Sequence, residues 1–534
     1  MAADRPGART GFAARLPGAV GLLLVLVLWQ LASMVFAERH VIPAPLHVLG
    51  QMWSDRSYLV SNSGVTLREA MVGYVCGNGA AIALAILFVR VHAAERLLLR
   101  LAIASYCIPL VAVAPVLVVV LPGDGPKYAL AALAVFFTTL IATLVGLRSS
   151  DATSLEVVRA SGGTPWQALR YVSIRAALPS TFAGLCIAAP AALLGAIIGE
   201  YLGASEGLGV ALVQAQSSFQ VPRTWALALT MSLLAGALYA ITTVISRLLT
   251  PWSTSTQTVG TTPRVARPAR HRWSRAFSAA GFTVASIAVI VLAWAAILRV
   301  FNLDGYFAKT PADVWRYLLS GNEAPAHRSE LFRQLLITLT DAGIGYVVGT
   351  LVAVLAAIAI VSVRVLEQVV TPVAIVLRSV PIVAMTPLLA LVFGRGLVGV
   401  TIIVSLVVFF PTLVNMVMGL RSAPPAATDV VRAAGGTTLQ AIRMVHLPYA
   451  LPALFASARI AVPGALGGAT LAEWLATGKG MGSLLVISYS NSEVGTLWSG
   501  SVLIVGASIL LYTVVSALEV PVLNRYSPSG ATAA

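Results

Sequence analysis

A chain of 534 residues with 58% hydrophobic and only 10% charged residues cannot cover a water-facing surface of ordinary polarity, which takes about 25% charged residues. Its mean hydropathy of +0.89 excludes a soluble globular enzyme, a disordered tail protein and a coiled coil. The net charge of +15 excludes little by itself, because a nucleic-acid-binding patch needs a soluble face and the composition leaves almost none. The chain reads as an integral membrane protein with the bilayer as a partner and no nucleic acid. Cys76, Cys107 and Cys186 all lie in apolar stretches with neither disulfide nor metal-ligand spacing, so no metal site is expected.

A helix needs about 20 apolar residues to cross about 30 Å of hydrocarbon. Twelve such runs are predicted, at 18–36, 66–89, 101–121, 127–147, 178–199, 224–246, 277–298, 334–361, 370–393, 397–420, 450–472 and 496–519. They are too long for barrel strands and show no alternation, so the predicted fold is all-α. The first run follows Arg5, Arg9 and Arg15 but has no convincing small-residue cleavage site, so it reads as a span, not a signal peptide. Placing the N-terminus in the cytoplasm puts 22 of the 35 basic residues on that side, against seven acids. The opposite side holds 12 basic and 13 acidic residues, so the positive-inside rule sets both termini in the cytoplasm of a multi-pass cell (inner) membrane protein.

Self-comparison shows a duplication. Residues 147–213 align with 420–486 at a shift of 273 without gaps, with 32 of 67 positions identical. Thr66-Leu67, Gly73-Tyr74 and Gly77 match Thr338-Leu339, Gly345-Tyr346 and Gly349 at a shift of 272, as do Pro109 and Pro115 with Pro381 and Pro387. The predicted organisation is a first domain 1–249, a Thr/Ser/Pro/Arg-rich cytoplasmic linker 250–276 and a second domain 277–534. Six spans per half give the halves the same orientation, a parallel repeat with a path between them.

Between the fourth and fifth spans of each half lies a polar segment, EVVRASGGTPWQALRYVSIRAALP at 156–179 and DVVRAAGGTTLQAIRMVHLPYALP at 429–452. Gly162-Gly163 and Gly435-Gly436 interrupt the helix. Thr164 with Gln167, and Thr437 with Gln440, then form predicted capping boxes, with Pro165 at the first helical position of the first copy. Each copy therefore reads as a helix, a sharp glycine turn and a second capped helix leading into the next span. One copy could be an ordinary surface loop, but two in equivalent places point to docking of a symmetric partner.

These residues resemble the EAA motif of ABC importer permeases, in which an acid and two alanines precede a glycine six residues after the acid and a later Leu-Pro. Glu156, Ala160, Gly162 and Gly163, and Asp429, Ala433, Gly435 and Gly436, occupy the pattern. Val157-Val158 and Val430-Val431 replace the paired alanines, and the first copy keeps only Leu178-Pro179 where the second has Leu447-Pro448 and Leu451-Pro452. The span VLRSVPIVAMTPLLALVFGRG at 376–396 resembles the RSIP…P span of the nitrate, sulfonate, taurine and bicarbonate branch. GEYLGASEGLG at 199–209 and AEWLATGKGMG at 472–482 resemble that branch's E…GLG turn. The resemblance covers nearly the whole chain and implies a type I importer permease fold with two permease domains fused into a pseudodimer. It also implies two separate ATP-binding subunits on the EAA-type loops, with ATP and Mg held there and no cofactor in this chain. An extracellular or periplasmic substrate-binding protein would deliver a small solute. That solute is expected to be a small oxyanion such as nitrate, bicarbonate, a sulfonate or taurine, with a thiamine-precursor pyrimidine or a riboflavin-like compound as the alternative.

Glu200, Gly207 and Gly209, with Glu473, Gly480 and Gly482, mark the outer mouth, where contact with the binding protein or a gate competes with the reading of solvated helix-end acids. Glu69 and Asp341, near the outer ends of spans, read as solvated or paired. The turns could be re-entrant where protein or water lines them. Pro109, Pro381 and Arg459 are candidate pathway residues. The prolines bend helices, and Arg459, inside a span opposite Cys186 of the first half, either attracts an anion or snorkels to the cytoplasmic side. No G-x-x-x-x-G-K-[ST] phosphate loop and no nucleophile constellation occur, so the chain is expected to transport rather than catalyse. The rival is a secondary transporter driven by an ion gradient, which would need titratable groups mid-bundle where this sequence has almost none.

Overall fold

Apolar runs that must satisfy every backbone group without water fold as helices, and no strand occurs among the described residues of the computed structural model, 16–39, 41–252, 288–292, 294–296, 298–299, 305–363 and 382–526. Eight helices among them are long and apolar enough to cross a membrane: Arg56–Arg90 (α3), Gly125–Arg148 (α6), Pro165–Glu200 (α8), Val221–Leu249 (α10), Ala324–Ser362 (α12), Leu397–Arg421 (α14), Thr438–Thr477 (α16) and Val494–Leu523 within the helix Val494–Tyr526 (α18). They coincide with eight of the twelve predicted spans. The first predicted span is the helix Leu16–Val35 (α1). Of 277–298 only 288–292, 294–296 and 298 are described, all helical, and 370–393 is described from Ile382 as the helix Ile382–Phe393 (α13).

The third predicted span is not one straight helix. It divides into His92–Cys107 (α4) and Leu110–Val120 (α5), with a bend of 101°. Pro109 causes the break: it supplies no N–H to the preceding turn and holds Ile108 in an extended conformation (φ −71°, ψ 115°).

The short helix after this break crosses to the other half. Ala112 and Val116 of α5 are buried in the second half's core, and the Ser501 hydroxyl donates to the Ala112 carbonyl at 2.9 Å. Reciprocally, Leu388 of α13 is buried in the first half's core together with Leu471. Within each half the same contacts recur. Gly73 and Gly77 bring α3 onto α6, where a Cβ on Gly77 would lie 2.5 Å from the Ala132 carbonyl oxygen, and Gly349 does the same against Ser405 of α14. The Tyr74 hydroxyl donates to the Leu185 carbonyl at 3.3 Å and that of Tyr346 to the Ala458 carbonyl at 3.1 Å. Trp29 stacks on Trp225 at 5.5 Å, and Trp294 on Trp498 at 5.4 Å, tying the first and last helices of each half.

Candidate functional site

At one end of the bundle sit the two duplicated loops. In the first, Ala152–Ala160 (α7) starts at Asp151, whose carboxylate accepts the Ser154 N–H at 2.9 Å; that bond holds the Asp151 carboxyl below the usual range. The helix ends in a Schellman turn: Gly162 N–H donates to the Arg159 carbonyl (3.0 Å) and Gly163 N–H to the Val158 carbonyl (2.8 Å), with Gly162 at φ +75°. Thr164 then caps the next helix, its N–H donating to Gln167 Oε1 at 2.7 Å and its hydroxyl accepting the Gln167 N–H at 3.3 Å.

The second copy repeats the turn and the capping box, but its first helix starts at Pro424 without a side-chain cap. Pro425–Ala433 (α15) ends with Gly435 N–H on Arg432 (2.9 Å) and Gly436 N–H on Val431 (2.9 Å), Gly435 at φ +77°, and Thr437 and Gln440 form the second capping box. One π turn in each half, Leu169–Ser173 and Ile442–His446, joins the capped helix to its span, so loop and span are continuous. Glu156, Ala160 and Gly162 are exposed, as are Asp429, Ala433 and Gly435, while Gly163 and Gly436 are half-buried. Asp429 pairs loosely with Arg432 at 3.8 Å on the surface. Val157, Val430, Trp166, Leu439 and Met444 are more than half exposed, an apolar surface that nothing in the described chain covers.

At the other end, each half folds a glycine-rich turn back onto a buried carboxylate. The short helix Leu208–Ser217 (α9) begins with three N–H groups that no helical carbonyl can take. Gly207 N–H donates to Asn62 Oδ1 (2.8 Å), Leu208 N–H to Thr66 Oγ1 (2.9 Å) and Gly209 N–H to Glu200 Oε2 (2.5 Å). In the second half Gly480–Ser490 (α17) is held alike: Gly480 N–H on Gln334 Oε1 (2.9 Å), Met481 N–H on Thr338 Oγ1 (2.8 Å) and Gly482 N–H on Glu473 Oε2 (2.8 Å). Each carboxylate also faces the positive end of its short helix. Gly207 (φ +122°) and Gly480 (φ +83°) are required twice over, because a Cβ on either would meet the carboxyl carbon of its own glutamate.

Glu200 and Glu473 are fully buried, as are Gly207, Gly209, Gly480 and Gly482. This corrects the reading of Glu200 and Glu473 as solvated helix-end acids: with their glycines they form a clamp that holds a folded-back turn. The exposed residues of the turns are Gly203, Ser205 and Glu206, and Gly478 and Lys479. Glu69 is buried as well, its carboxylate 2.7 Å from Lys127 Nζ, which also reaches Asp124 at 2.9 Å. Its second-half counterpart Asp341 makes no ion pair among the described residues.

Of the pathway candidates, Pro109 sits buried at the helix break and Pro381 lies outside the described residues. The Arg459 guanidinium pairs with Glu519 at 2.8 Å and lies 5.8 Å from the Tyr512 ring centre. Side chains lean toward the N-terminus of their own helix. On the antiparallel α16 and α18 (Val494–Tyr526), Arg459 and Glu519 therefore lean toward each other. Across the seam, the Tyr106 hydroxyl of the first half donates to the Ile460 carbonyl at 2.8 Å, and Tyr201 packs edge-on against Trp474 at 5.7 Å.

Sequence reasoning passed over Asn62 and Gln334 and took Thr66 and Thr338 only as matched repeat positions; these four make two of the three clamp bonds in each half. A signal was present: each pair is spaced four residues apart on one face of an apolar span, in both copies.

An all-helical membrane bundle of two intertwined, equivalent halves, each with an exposed capped loop between its fourth and fifth spans, defines a transport permease built as its own dimer. The chain belongs to the family described as "Binding-protein-dependent transport system inner membrane component", which it matches twice, over residues 77–255 and 349–525. It is an ABC importer permease with two permease domains in one chain, and the secondary-transporter alternative is set aside. Relatives match one half at a time. The riboflavin transport system permease protein RibX of Chloroflexus aurantiacus is 32% identical over 44% of this chain and 90% of its own length. The formylaminopyrimidine transport permease protein ThiX of Halalkalibacterium halodurans is 28% identical over 43% of this chain and 93% of its own. The putative aliphatic sulfonates transport permease protein SsuC of Bacillus subtilis is 27% identical over 43% and 83%. No solved structure matches the chain.

Proposed function

We propose that this chain is the whole translocation unit of its importer: residues 1–249 and 277–534 form the two permease domains and 250–276 the linker, with both termini in the cytoplasm. Two ATP-binding subunits, which carry ATP and Mg, dock on the loops around Glu156–Gly163 and Asp429–Gly436. A binding protein delivers solute to the opposite face. The observation that carries this reading is the duplicated loop: an exposed helix, a turn fixed by two backbone bonds and a capped helix continuous with a span, present in both halves. Such an element transmits a push as a rigid lever, and two of them in one chain suit a dimeric motor. The test is purification in mild detergent followed by reconstitution in vesicles. The expected result is two ATPase subunits per chain and uptake that needs ATP. Uptake driven by a proton or sodium gradient without ATP overturns the reading.

For the solute, we infer a flat heterocycle of the pyrimidine or riboflavin kind. The similarity to RibX and ThiX supports this, as does the pairing of Arg459 with Glu519, which leaves no net charge there to draw an anion. The aromatic seam of Tyr106, Tyr512, Tyr201 and Trp474 suits stacking. The similarity to SsuC supports the second reading, a small oxyanion. Titrating the partner binding protein with riboflavin, a formylated aminopyrimidine, taurine, nitrate and bicarbonate separates the two.

A further inference from the structure

The halves differ at one outer corner, where the amphipathic segment before the second span meets the starts of the second and last spans. In the first half that corner is filled. Arg223, at the start of α10, makes a bidentate pair with Asp55 (2.7 and 2.9 Å), Gln51 donates to the same carboxylate at 2.7 Å, and the guanidinium lies over Tyr58 at 5.7 Å. At the duplication shifts Arg223 corresponds to Thr496 and Asp55 to His327, so the second half has lost both members of the pair.

There the corner is rebuilt with aromatic rings. Tyr317, in the turn following Pro311–Trp315, stacks on His327 at 4.0 Å with an interplanar angle of 4°, and its hydroxyl bonds Thr496 at 2.7 Å. Threonine is much shorter than arginine, and Gly495 and Ser499 on the same helix line a cavity of about 470 Å³. Lys309, Arg316 and Asp313 also line it, Arg316 being paired with Asp313 at 2.6 Å, and three further features of its wall bear on what it holds. Glu323 is four-fifths exposed and comes no closer to a cation than 3.6 Å, at His327, among the described residues. The Ser499 hydroxyl is fully buried at the wall and has no hydrogen-bond partner among the described residues. The Tyr317–His327 stack supplies an aromatic surface, the kind of surface on which Arg223 rests in the first half.

We propose that this pocket receives an arginine side chain of the substrate-binding protein, and that it fixes which way round that protein docks. The proposal rests on the importer reading above, in which a binding protein meets this face. A guanidinium is the group that the equivalent corner holds from within the chain. It would find a carboxylate in Glu323, an aromatic surface for cation–π contact and an acceptor in Ser499. A homodimeric permease offers the same corner to both lobes of a binding protein. This chain offers one corner already occupied and one vacant, so only one of the two orientations related by the pseudo-twofold axis inserts the arginine.

The experiment uses the complete complex in nanodiscs and the purified binding protein of the same system. The variant H327D/T496R rebuilds the first half's pair inside the pocket. It is expected to weaken binding by at least about tenfold while the complex elutes from gel filtration as the wild type does. Glu323→Gln, at an exposed position that does not threaten folding, is expected to weaken binding in the same direction. A photo-crosslinking residue at Asn322 is expected to label one lobe, and one at Ser57, beside the Asp55–Arg223 pair, the other lobe. Unchanged affinity in both variants overturns the pocket, and labelling of both lobes from both positions overturns the fixed orientation. If the wild-type complex neither hydrolyses ATP nor binds such a protein, the importer reading itself fails and this proposal falls with it.

Discussion

The Schellman turns invite a graded test of coupling. At Gly162 and Gly435 an added Cβ meets open space, so Ala there bears only the strain of a left-handed backbone, about 1–2 kcal/mol per residue. At Gly163 and Gly436 the backbone is not strained, but a Cβ would lie 2.6 Å from the Val158 carbonyl oxygen and 2.7 Å from that of Val431. Those carbonyls accept the bonds that close the turns, so the turn must open and its closing bond, about 1 kcal/mol net, goes with it. The lever angle between the exposed helix and the span then changes. The expected order of damage is G163A/G436A above G162A/G435A, read as solute transported per ATP hydrolysed in proteoliposomes, with hydrolysis itself retained. The reasoning is refuted if G163A/G436A transports at the wild-type ratio, or if the two pairs rank the other way.

Four other outcomes follow from the geometry. Glu473→Gln replaces a buried carboxyl acceptor at a helix N-terminus and should lower the stability of the purified permease by about 1–3 kcal/mol, seen as an earlier melt. Gly480→Ala should be at least as damaging, because its Cβ meets the Glu473 carboxyl and its φ is +83°, and the melt of that variant checks it. Removing Arg459 alone leaves Glu519 unpaired and should cost about 3–5 kcal/mol, whereas R459M/E519L should recover most of it; the two melts compared settle this. The Arg223 guanidinium holds the Asp55 carboxyl below its usual range, so its contribution is complete above the unfolded value of about 3.9 and is lost as pH falls through the folded one. Melting temperature should therefore drop more steeply below about pH 4 in the wild type than in Asp55→Asn.

The capped loops were legible residue by residue because capping boxes and glycine turns are local chemistry, decided within a few residues of Thr164 and Thr437. The duplication was legible because identity at a fixed shift needs no structure. The carboxylates at 200 and 473 were misplaced because hydropathy locates the end of a span but does not reveal a turn that folds back over it. The turn that covers Glu200 is held by Asn62 and Thr66, well over a hundred residues earlier, and its closeness to the acid depends on tertiary packing. The partner of Arg459 escaped for a related reason: Glu519 lies 60 positions on, on a helix whose facing could not be read from an apolar run. Pro109 was identified as a bend, yet the run was still counted as one span, since apolar composition carries no information about direction.

The exchange of short helices has a consequence for how the molecule is made. The first half emerges from the ribosome early, but its core lacks Leu388 and Leu471 until most of the chain has been synthesised. Until then Ala112 and Val116 have no destination. Two separate subunits would have to find each other by diffusion in the membrane while those surfaces wait. Here the tether converts that encounter into an intramolecular closure, with the partner at an effective concentration set by linker length, not by expression level. Stoichiometry is then fixed at one to one, so the differences between the two outer corners are carried by every molecule.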